Sequence, residues 1–233
     1  MALRSIIYLT IITLFANYTI ADQQKILTHG DGGFGVIKKA LSKAKIIPQV
    51  LDDFTPKCFV VPSYSTGKRE LPVALGNHFK TSTTKSRPSL RLYCPEMSQT
   101  EGLTIALTDP DAPSRDDPKW SEMCHWISVV PVPEPLSYWD FSIDEDAFGE
   151  ELMEYKPPGP PAKTGYHRYV FVLLEGDNTN LTAPSDRQHW GTDKKRHGVR
   201  DWANREGLKV IGANYFVEKN KKHAQRALTW DFA

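Results

Sequence analysis

A chain of 233 residues with a formal net charge of +1 is within the size range of a single domain, with room for one extra segment. The near-neutral charge gives no electrostatic reason to expect nucleic acid or an anionic membrane surface as a partner. Residues 5–20 form an uncharged apolar run that follows a short basic start and ends at Ala21. This pattern predicts a secretory signal peptide over residues 1–21 rather than a signal anchor, because the run is short for a membrane span and contains Asn17.

The remaining chain, residues 22–233, is predicted to form one domain with no further transmembrane segment. Its sequon Asn180-Leu181-Thr182 lies in a polar stretch and is a candidate glycosylation site at Asn180. Together with the signal peptide, this sequon predicts a glycoprotein that is secreted or held in the secretory pathway, in the vacuole or outside the cell.

Three cysteines follow the signal peptide, so at least one of them is unpaired. Cys58 and Cys94 can form a bridge in an oxidising compartment, but the sequence leaves the distance between them open. Cys124 precedes His125, and neighbouring residues on a strand point to opposite faces. If His125 faces a site, Cys124 is therefore expected to be a small buried apolar residue rather than a nucleophile or a metal ligand.

Helical spacing of apolar residues predicts an N-terminal helix over residues 34–44, with lysines on its other faces. The glycine-rich stretch 30–35 before it resembles a phosphate-binding loop only superficially, since it lacks a preceding strand and a following Lys-Ser/Thr. A second helix is predicted over residues 198–207, and a basic C-terminal helix over residues 219–228.

Apolar runs bounded by turn residues predict strands at seven places: residues 58–62, 89–94, 103–107, 126–132, 152–155, 170–174 and 209–217. These runs are separated by turns rather than by helices, which favours an antiparallel, mainly β architecture over a doubly wound α/β fold. The aromatic and acidic segment 138–146 is predicted to be a surface insertion between two strands.

Two loops between predicted strands carry the residues from which sites are built. The first is Asp-Pro-Asp-Ala-Pro-Ser-Arg at residues 109–115, followed by His125, and its prolines keep it stiff and outside any strand ladder. The second holds Pro-Pro-Gly-Pro-Pro at residues 157–161 and His-Arg-Tyr-Val at residues 167–170. Stiff loops that carry Asp, Arg and His are typical of functional sites, although turns also favour several of these residues.

In this order and spacing, the two loops resemble those of the phosphatidylethanolamine-binding protein family. Residues 117–125 and 167–174 are most similar to its fungal branch, which includes the carboxypeptidase Y inhibitor, and weaker similarity runs over residues 51–216. The resemblance implies a large central antiparallel β-sheet, a smaller second sheet and peripheral helices.

The resemblance also implies a small anion pocket that is lined by Asp109, Asp111, His125, Gly159, Pro160, His167 and Tyr169, with Tyr215 near its mouth. Two imidazoles can each donate a hydrogen bond to a phosphate oxygen, while the two carboxylates accept from the other ring nitrogens and favour the charged rings. Asp111 is equally interpreted as a residue that caps its own loop, and Arg115 as one that holds the loop together.

No enzymatic activity, metal or cofactor is predicted. The sequence has no His-x-x-x-His ligand pair and no Gly-x-Ser-x-Gly nucleophile turn. The predicted function is binding of a phosphate-bearing anion, such as a phospholipid headgroup, in a polar pocket. The alternative is inhibition of a serine carboxypeptidase by protein–protein contact. A role as a signalling partner of kinases, as in some cytosolic relatives, is disfavoured by the secretory start.

Overall fold

The structure is a computed structural model that describes residues 33–95, 97–133 and 139–220. The signal peptide predicted over residues 1–21 and most of the basic helix predicted over residues 219–228 lie outside these ranges. Within the described ranges, none of the helices combines the length and the apolar character that a bilayer crossing requires.

The fold consists of two β-sheets that pack face to face, with helices on the outer face of the larger sheet. The smaller sheet has the strand order β2-β1-β4-β7, where β1 is Phe59–Ser65, β2 is Glu70–Pro72, β4 is Ser89–Tyr93 and β7 is Asp140–Ile143. The larger sheet has the order β3-β10-β9-β5-β6-β8, where β3 is Asn77–Phe79, β5 is Leu103–Asp109, β6 is Met123–Val130, β8 is Glu151–Met153, β9 is His167–Glu175 and β10 is Lys209–Glu218.

The mainly β fold and the seven sequence-predicted strands are confirmed. The larger sheet is not wholly antiparallel, however, because β3 pairs in parallel with β10. The strands β2, β3 and β7 were not predicted, since each has only three or four residues, which is too short for an alternating pattern to be visible. The equally short β8 was predicted from the adjacent apolar residues Leu152 and Met153. The segment predicted as a surface insertion thus contains β7, an edge strand paired with β4.

The described residues contain three α-helices, α1 at Gly35–Lys43, α2 at Ile46–Gln49 and α3 at Val199–Arg205, and a 3-10 helix at His189–Gly191. The amphipathic pattern of α1 is confirmed, since it buries Ile37 and Leu41 against the larger sheet. The helix predicted over residues 198–207 is confirmed as α3, which buries Val199, Trp202 and Ala203 on the same side.

Strand β9 shows why the centre of the larger sheet is a continuous apolar run. Its residues Tyr169 and Phe171 face the smaller sheet, whereas Val170 and Val172 face the helices. A strand that is covered on both faces needs apolar residues at every position, so it does not alternate with polar ones. The charged and titratable residues of β9 are confined to its ends, with His167 and Arg168 at one end and Glu175 at the other, apart from the Tyr169 hydroxyl.

The cysteines follow the same layering. Cys58 and Cys94 form a disulfide with a Cα–Cα distance of 4.2 Å, next to the paired residues Phe59 and Tyr93 of β1 and β4. The sequence left the distance between these two cysteines open, and the structure shows that they are bonded. Cys124 is fully buried among the apolar residues on the helix side of the larger sheet, as expected for a packing residue.

Candidate functional site

Four neighbouring strands of the larger sheet bring titratable side chains together at the same end of the strands. Asp109 is the last residue of β5, His125 lies near the start of β6, His167 opens β9 and Glu218 closes β10. Because these neighbouring strands are antiparallel, the end of one lies beside the start of the next. We call the group formed by Asp109, His125, His167, Tyr169 and the adjoining loop 157–164 the polar hollow.

A β-bulge turns His125 toward this hollow. Leu107 of β5 pairs with Trp126 of β6, but the next residue, Thr108, pairs with Cys124, so His125 is an extra residue in the ladder. With strict alternation His125 would face away from Trp126, which points toward the smaller sheet. The bulge breaks that alternation, and the His125 ring instead meets the Tyr169 ring edge-on with 5.3 Å between the ring centroids.

Asp109 and His167 form a buried ion pair, in which His167 Nδ1 donates to Asp109 Oδ2 at 2.8 Å. The other ring nitrogen, Nε2, lies 2.9 Å from the Thr164 hydroxyl oxygen. Thr164 donates its only hydroxyl hydrogen to the carbonyl of Pro161 at 2.8 Å, so its oxygen accepts a hydrogen bond from the Nε2–H of His167. Both nitrogens of His167 are therefore donors, which is the hydrogen-bond pattern of the charged imidazolium.

The pKa of His167 agrees with this geometry. Burial alone lowers the pKa of a histidine, but the hydrogen bond and the negative charge of Asp109 outweigh burial here and raise the pKa above its ordinary value. Asp109 is itself held in place, since its other oxygen accepts from the backbone N–H of Asp111 at 2.7 Å. The ion pair is thus a fixed part of the site rather than a mobile contact.

His125 is in a different protonation environment. Its Nδ1 lies 2.7 Å from the carbonyl oxygen of Lys156, so Nδ1 carries a proton and Nε2 is the acceptor of the neutral ring. Burial lowers the pKa of His125, and the charge of Asp109 only partly opposes this. The expectation that carboxylates favour two charged rings therefore holds for His167 and not for His125.

Tyr169 stands between the two histidines. Its ring lies parallel to that of His167 with 6.4 Å between the centroids, and it stacks on Phe216 at 5.2 Å. Burial and the nearby charge of Asp109 raise the pKa of the Tyr169 hydroxyl, so this group stays a proton donor. The site therefore combines a hydroxyl donor, one imidazolium and one neutral imidazole.

The glycine–proline segment lies beside the hollow, where the Gly159 backbone interacts with the Tyr169 hydroxyl. Gly159 is exposed and Pro160 is buried. A Cβ atom built on Gly159 would meet nothing nearer than the Pro157 carbonyl oxygen at 4.0 Å. The absence of a side chain at this position leaves open space, which is what close approach of a ligand to the backbone requires.

Asp111 does not belong to the polar hollow. Its carboxylate accepts from Arg168 Nε at 2.8 Å, from Arg168 Nη2 at 2.6 Å and from the Arg168 backbone at 2.9 Å. Arg168 follows His167 on β9 and therefore faces the helix side, where its Nη1 also donates to the Ala44 carbonyl at 2.8 Å. Asp111 thus anchors its loop to the sheet and to the segment after α1, and the ligand role predicted for it is not supported.

Tyr215 is likewise on the wrong face for the position predicted at the pocket mouth. It pairs with Val170 on β10 and packs on the helix side, whereas its neighbour Phe216 pairs with Tyr169 on the other face. The Tyr215 hydroxyl lies against Gly76, where an added Cβ would be 2.6 Å away. The period of two along a strand explains why a shift by one residue moves an aromatic ring out of the site.

Glu218 is the residue that sequence reasoning missed. It pairs directly with His167 across β9 and β10 and is fully buried on the same face as Phe216. No local motif marks it, because its proximity to the hollow depends on the register of β9 and β10, which pairs Glu218 with the distant His167. In the described part of the chain, no group of three or more His, Cys, Asp or Glu side chains is placed to hold a metal ion.

The sequence of the chain is similar to those of known proteins. The chain matches the family model of the phosphatidylethanolamine-binding protein over residues 66–216. It is 30% identical to the carboxypeptidase Y inhibitor of Saccharomyces cerevisiae over 208 residues, which cover 77% of this chain and 93% of that protein.

Solved structures of similar proteins share this fold. The crystal structure of carboxypeptidase Y inhibitor complexed with the cognate proteinase is 30% identical and superposes with a TM-score of 0.72, over 80% of this chain and 96% of that chain. A phosphatidylethanolamine-binding protein from Plasmodium vivax shares the fold at 21% identity, with a TM-score of 0.62 over 78% of this chain and 97% of that chain.

Proposed function

Since the chain belongs to the phosphatidylethanolamine-binding protein family, we propose that its polar hollow binds a phosphate-bearing anion, such as a phospholipid headgroup. The observation that supports this proposal is that Asp109, His125, His167 and Tyr169 lie together at one end of the strands of the larger sheet. A small polar site beside open space at Gly159 suits a headgroup, with acyl chains left outside.

The hydrogen-bond pattern suggests which groups hold the anion. His125 uses Nδ1 on the Lys156 carbonyl, so uptake of a proton would turn its Nε2 into a charged donor. The Tyr169 hydroxyl already interacts with the Asp109 carboxylate and the Gly159 backbone, so it positions these groups beside the anion. His167 contributes positive charge rather than a hydrogen bond, because Asp109 and Thr164 already occupy both of its nitrogens.

Calorimetric titration with inorganic phosphate tests the hollow directly. We expect His125→Ala to weaken binding roughly tenfold or more, as loss of a charged hydrogen bond does. His197→Ala is the matched control, because His197 is exposed and pairs with Asp201 on α3, away from the hollow. Equal affinity of wild type and His125→Ala would remove the hollow from the proposal.

Three probes distinguish a phospholipid headgroup from free phosphate as the ligand: inorganic phosphate, glycerophosphoethanolamine, and vesicles of phosphatidylcholine with or without phosphatidylethanolamine. A headgroup site binds the phosphodiester and the vesicles, whereas a free-phosphate site binds only inorganic phosphate. The Cβ of Gly159→Val enters open space, so we expect this variant to block every probe that binds while leaving the melting temperature unchanged.

Inhibition of a serine carboxypeptidase is a second candidate, favoured by the 30% identity to the yeast inhibitor over 93% of its length. Two of the large apolar residues that are most exposed in the described chain lie in the two motif loops: Trp120 at 37% and Tyr166 at 40% exposure. Exposed Trp and Tyr are enriched at protein interfaces. The rim of the hollow is thus the surface that we propose for protease contact.

A carboxypeptidase Y assay tests this candidate with the purified protein as titrant. Trp120→Ser and Tyr166→Ser are expected to weaken inhibition. Val36→Ser is the control, because Val36 is as exposed, at 39%, but lies on α1. An unchanged peptidase rate at micromolar excess of the wild-type protein would rule out inhibition of this enzyme.

We further propose that the chain matures in the secretory pathway, with residues 1–21 as its signal peptide and residues 22–233 as the mature domain. The Cys58–Cys94 disulfide fits an oxidising compartment, and the exposed Asn180 is accessible to glycosylation. Mass spectrometry of the native protein would find the chain starting near residue 22, with a glycan that Asn180→Gln removes. A native chain that keeps residues 1–21 and has no glycan would contradict this route.

A further inference from the structure

Glu218 has an unusual environment for a carboxyl group. It is fully buried, and its Oε2 accepts from the Thr84 hydroxyl at 2.9 Å. Its other oxygen, Oε1, is buried without a hydrogen-bond partner among the described residues. A buried carboxylate needs partners for both oxygens to remain ionised, so this geometry favours a carboxyl that holds a proton.

The charged and titratable groups around Glu218 come from every element that packs against it. His167 and Tyr169 face it from β9, Asp109 from β5, Tyr64 from β1, Tyr155 from the segment after β8 and Lys85 from the loop before β4. Burial raises the pKa of Glu218 to about 7, against the opposing effects of Thr84, Lys85 and His167. Its protonation therefore changes near neutral pH.

The charge balance of the hollow depends on this one group. Asp109 and His167 cancel each other as an ion pair, and burial lowers the pKa of His125 and favours its neutral ring. With Glu218 protonated, the hollow is electrically neutral. With Glu218 ionised, the hollow gains a negative charge next to His167 that Lys85 offsets only in part, and this charge repels an incoming anion in a low-dielectric environment.

We propose that Glu218 is a further residue of the binding site, which must hold a proton for the hollow to accept a phosphoanion. This inference rests on the proposed phosphoanion binding and adds the residue that regulates it. Above the pKa of Glu218, this requirement adds the uptake of one proton to any proton that His125 takes up, so it lowers the affinity by up to about tenfold for each pH unit. Below that pKa, Glu218 is already protonated and has no effect on the affinity.

The experiment measures the affinity for glycerophosphoethanolamine at pH 6 and pH 8 by calorimetry. This probe keeps one negative phosphodiester charge over that range, so a change in affinity reports on the protein. We expect Glu218→Gln to bind as well as wild type at pH 6 and up to about tenfold more tightly at pH 8, because the neutral amide replaces a carboxyl that has ionised.

Glu122→Gln is a closely matched control. Glu122 is also fully buried with a pKa raised to about 7 by burial, but it lies on the other face of the sheet, where it accepts from Gly198 and Val199 at the start of α3. Its substitution is expected to leave the ratio of affinities to wild type the same at pH 6 and pH 8.

The possible outcomes distinguish failure of the proposed phosphoanion binding from failure of the proposed role of Glu218. Wild-type protein that binds none of the phosphate probes overturns the proposed function together with this inference. Binding with the same Glu218→Gln to wild-type ratio at both pH values overturns the role of Glu218 alone. Should Glu218→Gln fail to fold, titration of wild type at pH 6 and pH 8 in two buffers of different ionisation enthalpy replaces it, and proton uptake that does not increase from pH 6 to pH 8 overturns the role.

Discussion

Removal of the Asp111 carboxylate gives a quantitative test of how the site loop is held. Asp111 and Arg168 form a bidentate pair with side-chain exposures of 0% and 2%. Asp111→Ala leaves the Arg168 guanidinium buried with only the Ala44 carbonyl as a partner. Loss of one member of a buried ion pair costs about 3–5 kcal/mol of unfolding free energy.

The chain contains the same bidentate geometry at its surface. Arg91 donates to Asp140 through Nε and Nη2, both at 2.9 Å, but these side chains are 49% and 37% exposed. Asp140→Ala is therefore expected to cost less than about 1 kcal/mol, since solvent screens an exposed pair. Urea unfolding followed by tryptophan fluorescence measures both variants.

The comparison has a clear refuting result. If Asp111→Ala costs no more than Asp140→Ala, burial does not control the strength of this pair and the anchoring role of Asp111 is wrong. A double variant, Asp111→Leu with Arg168→Met, removes both charges, so we expect it to recover most of the lost stability. A double variant as unstable as Asp111→Ala would mean that the loss arises from packing rather than from an unpaired charge.

Three further predictions concern the core and the site. In wild type, the pKa of Glu122 is about 7 in the folded state and near 4.5 in the unfolded state. Its contribution to stability is therefore full below pH 4.5 and falls by up to about 3 kcal/mol as the pH rises to 7. In urea unfolding of Glu122→Gln at several pH values, the free energy of unfolding should lack this decrease with pH. Cys94→Ser opens a link that spans 36 residues, and in the chain-entropy model we expect a loss of about 3–4 kcal/mol, with no further loss when reductant is added. Tyr169→Phe is expected to weaken phosphate binding roughly tenfold, while Tyr215→Phe, on the opposite face, leaves it unchanged; an effect of the same size in both would contradict the assigned faces.

The family and the mainly β fold are accessible from sequence because they rest on contiguous features. The two loop motifs are local, and the long strands β5, β6, β9 and β10 carry enough apolar residues to be visible. The similarity to the fungal branch is confirmed by the yeast inhibitor.

The contents of the hollow were harder to predict, because they depend on which face each residue takes. The bulge at His125 and the alternation of His167 with Arg168 decide whether a side chain enters the hollow, and neither is visible in the amino-acid order alone. Asp111 and Tyr215 were assigned to the pocket for that reason, and Glu218 was missed because only strand register brings it to His167.

The first two residues of β9 place opposite demands on anyone who wishes to redesign this protein. His167 serves the hollow, and Arg168, one position along, secures Asp111 and the carbonyl of Ala44 on the other face. A library that randomises both positions would confound altered recognition with loss of the folded scaffold. Engineering of new specificity is better confined to position 167, with its neighbour kept as arginine.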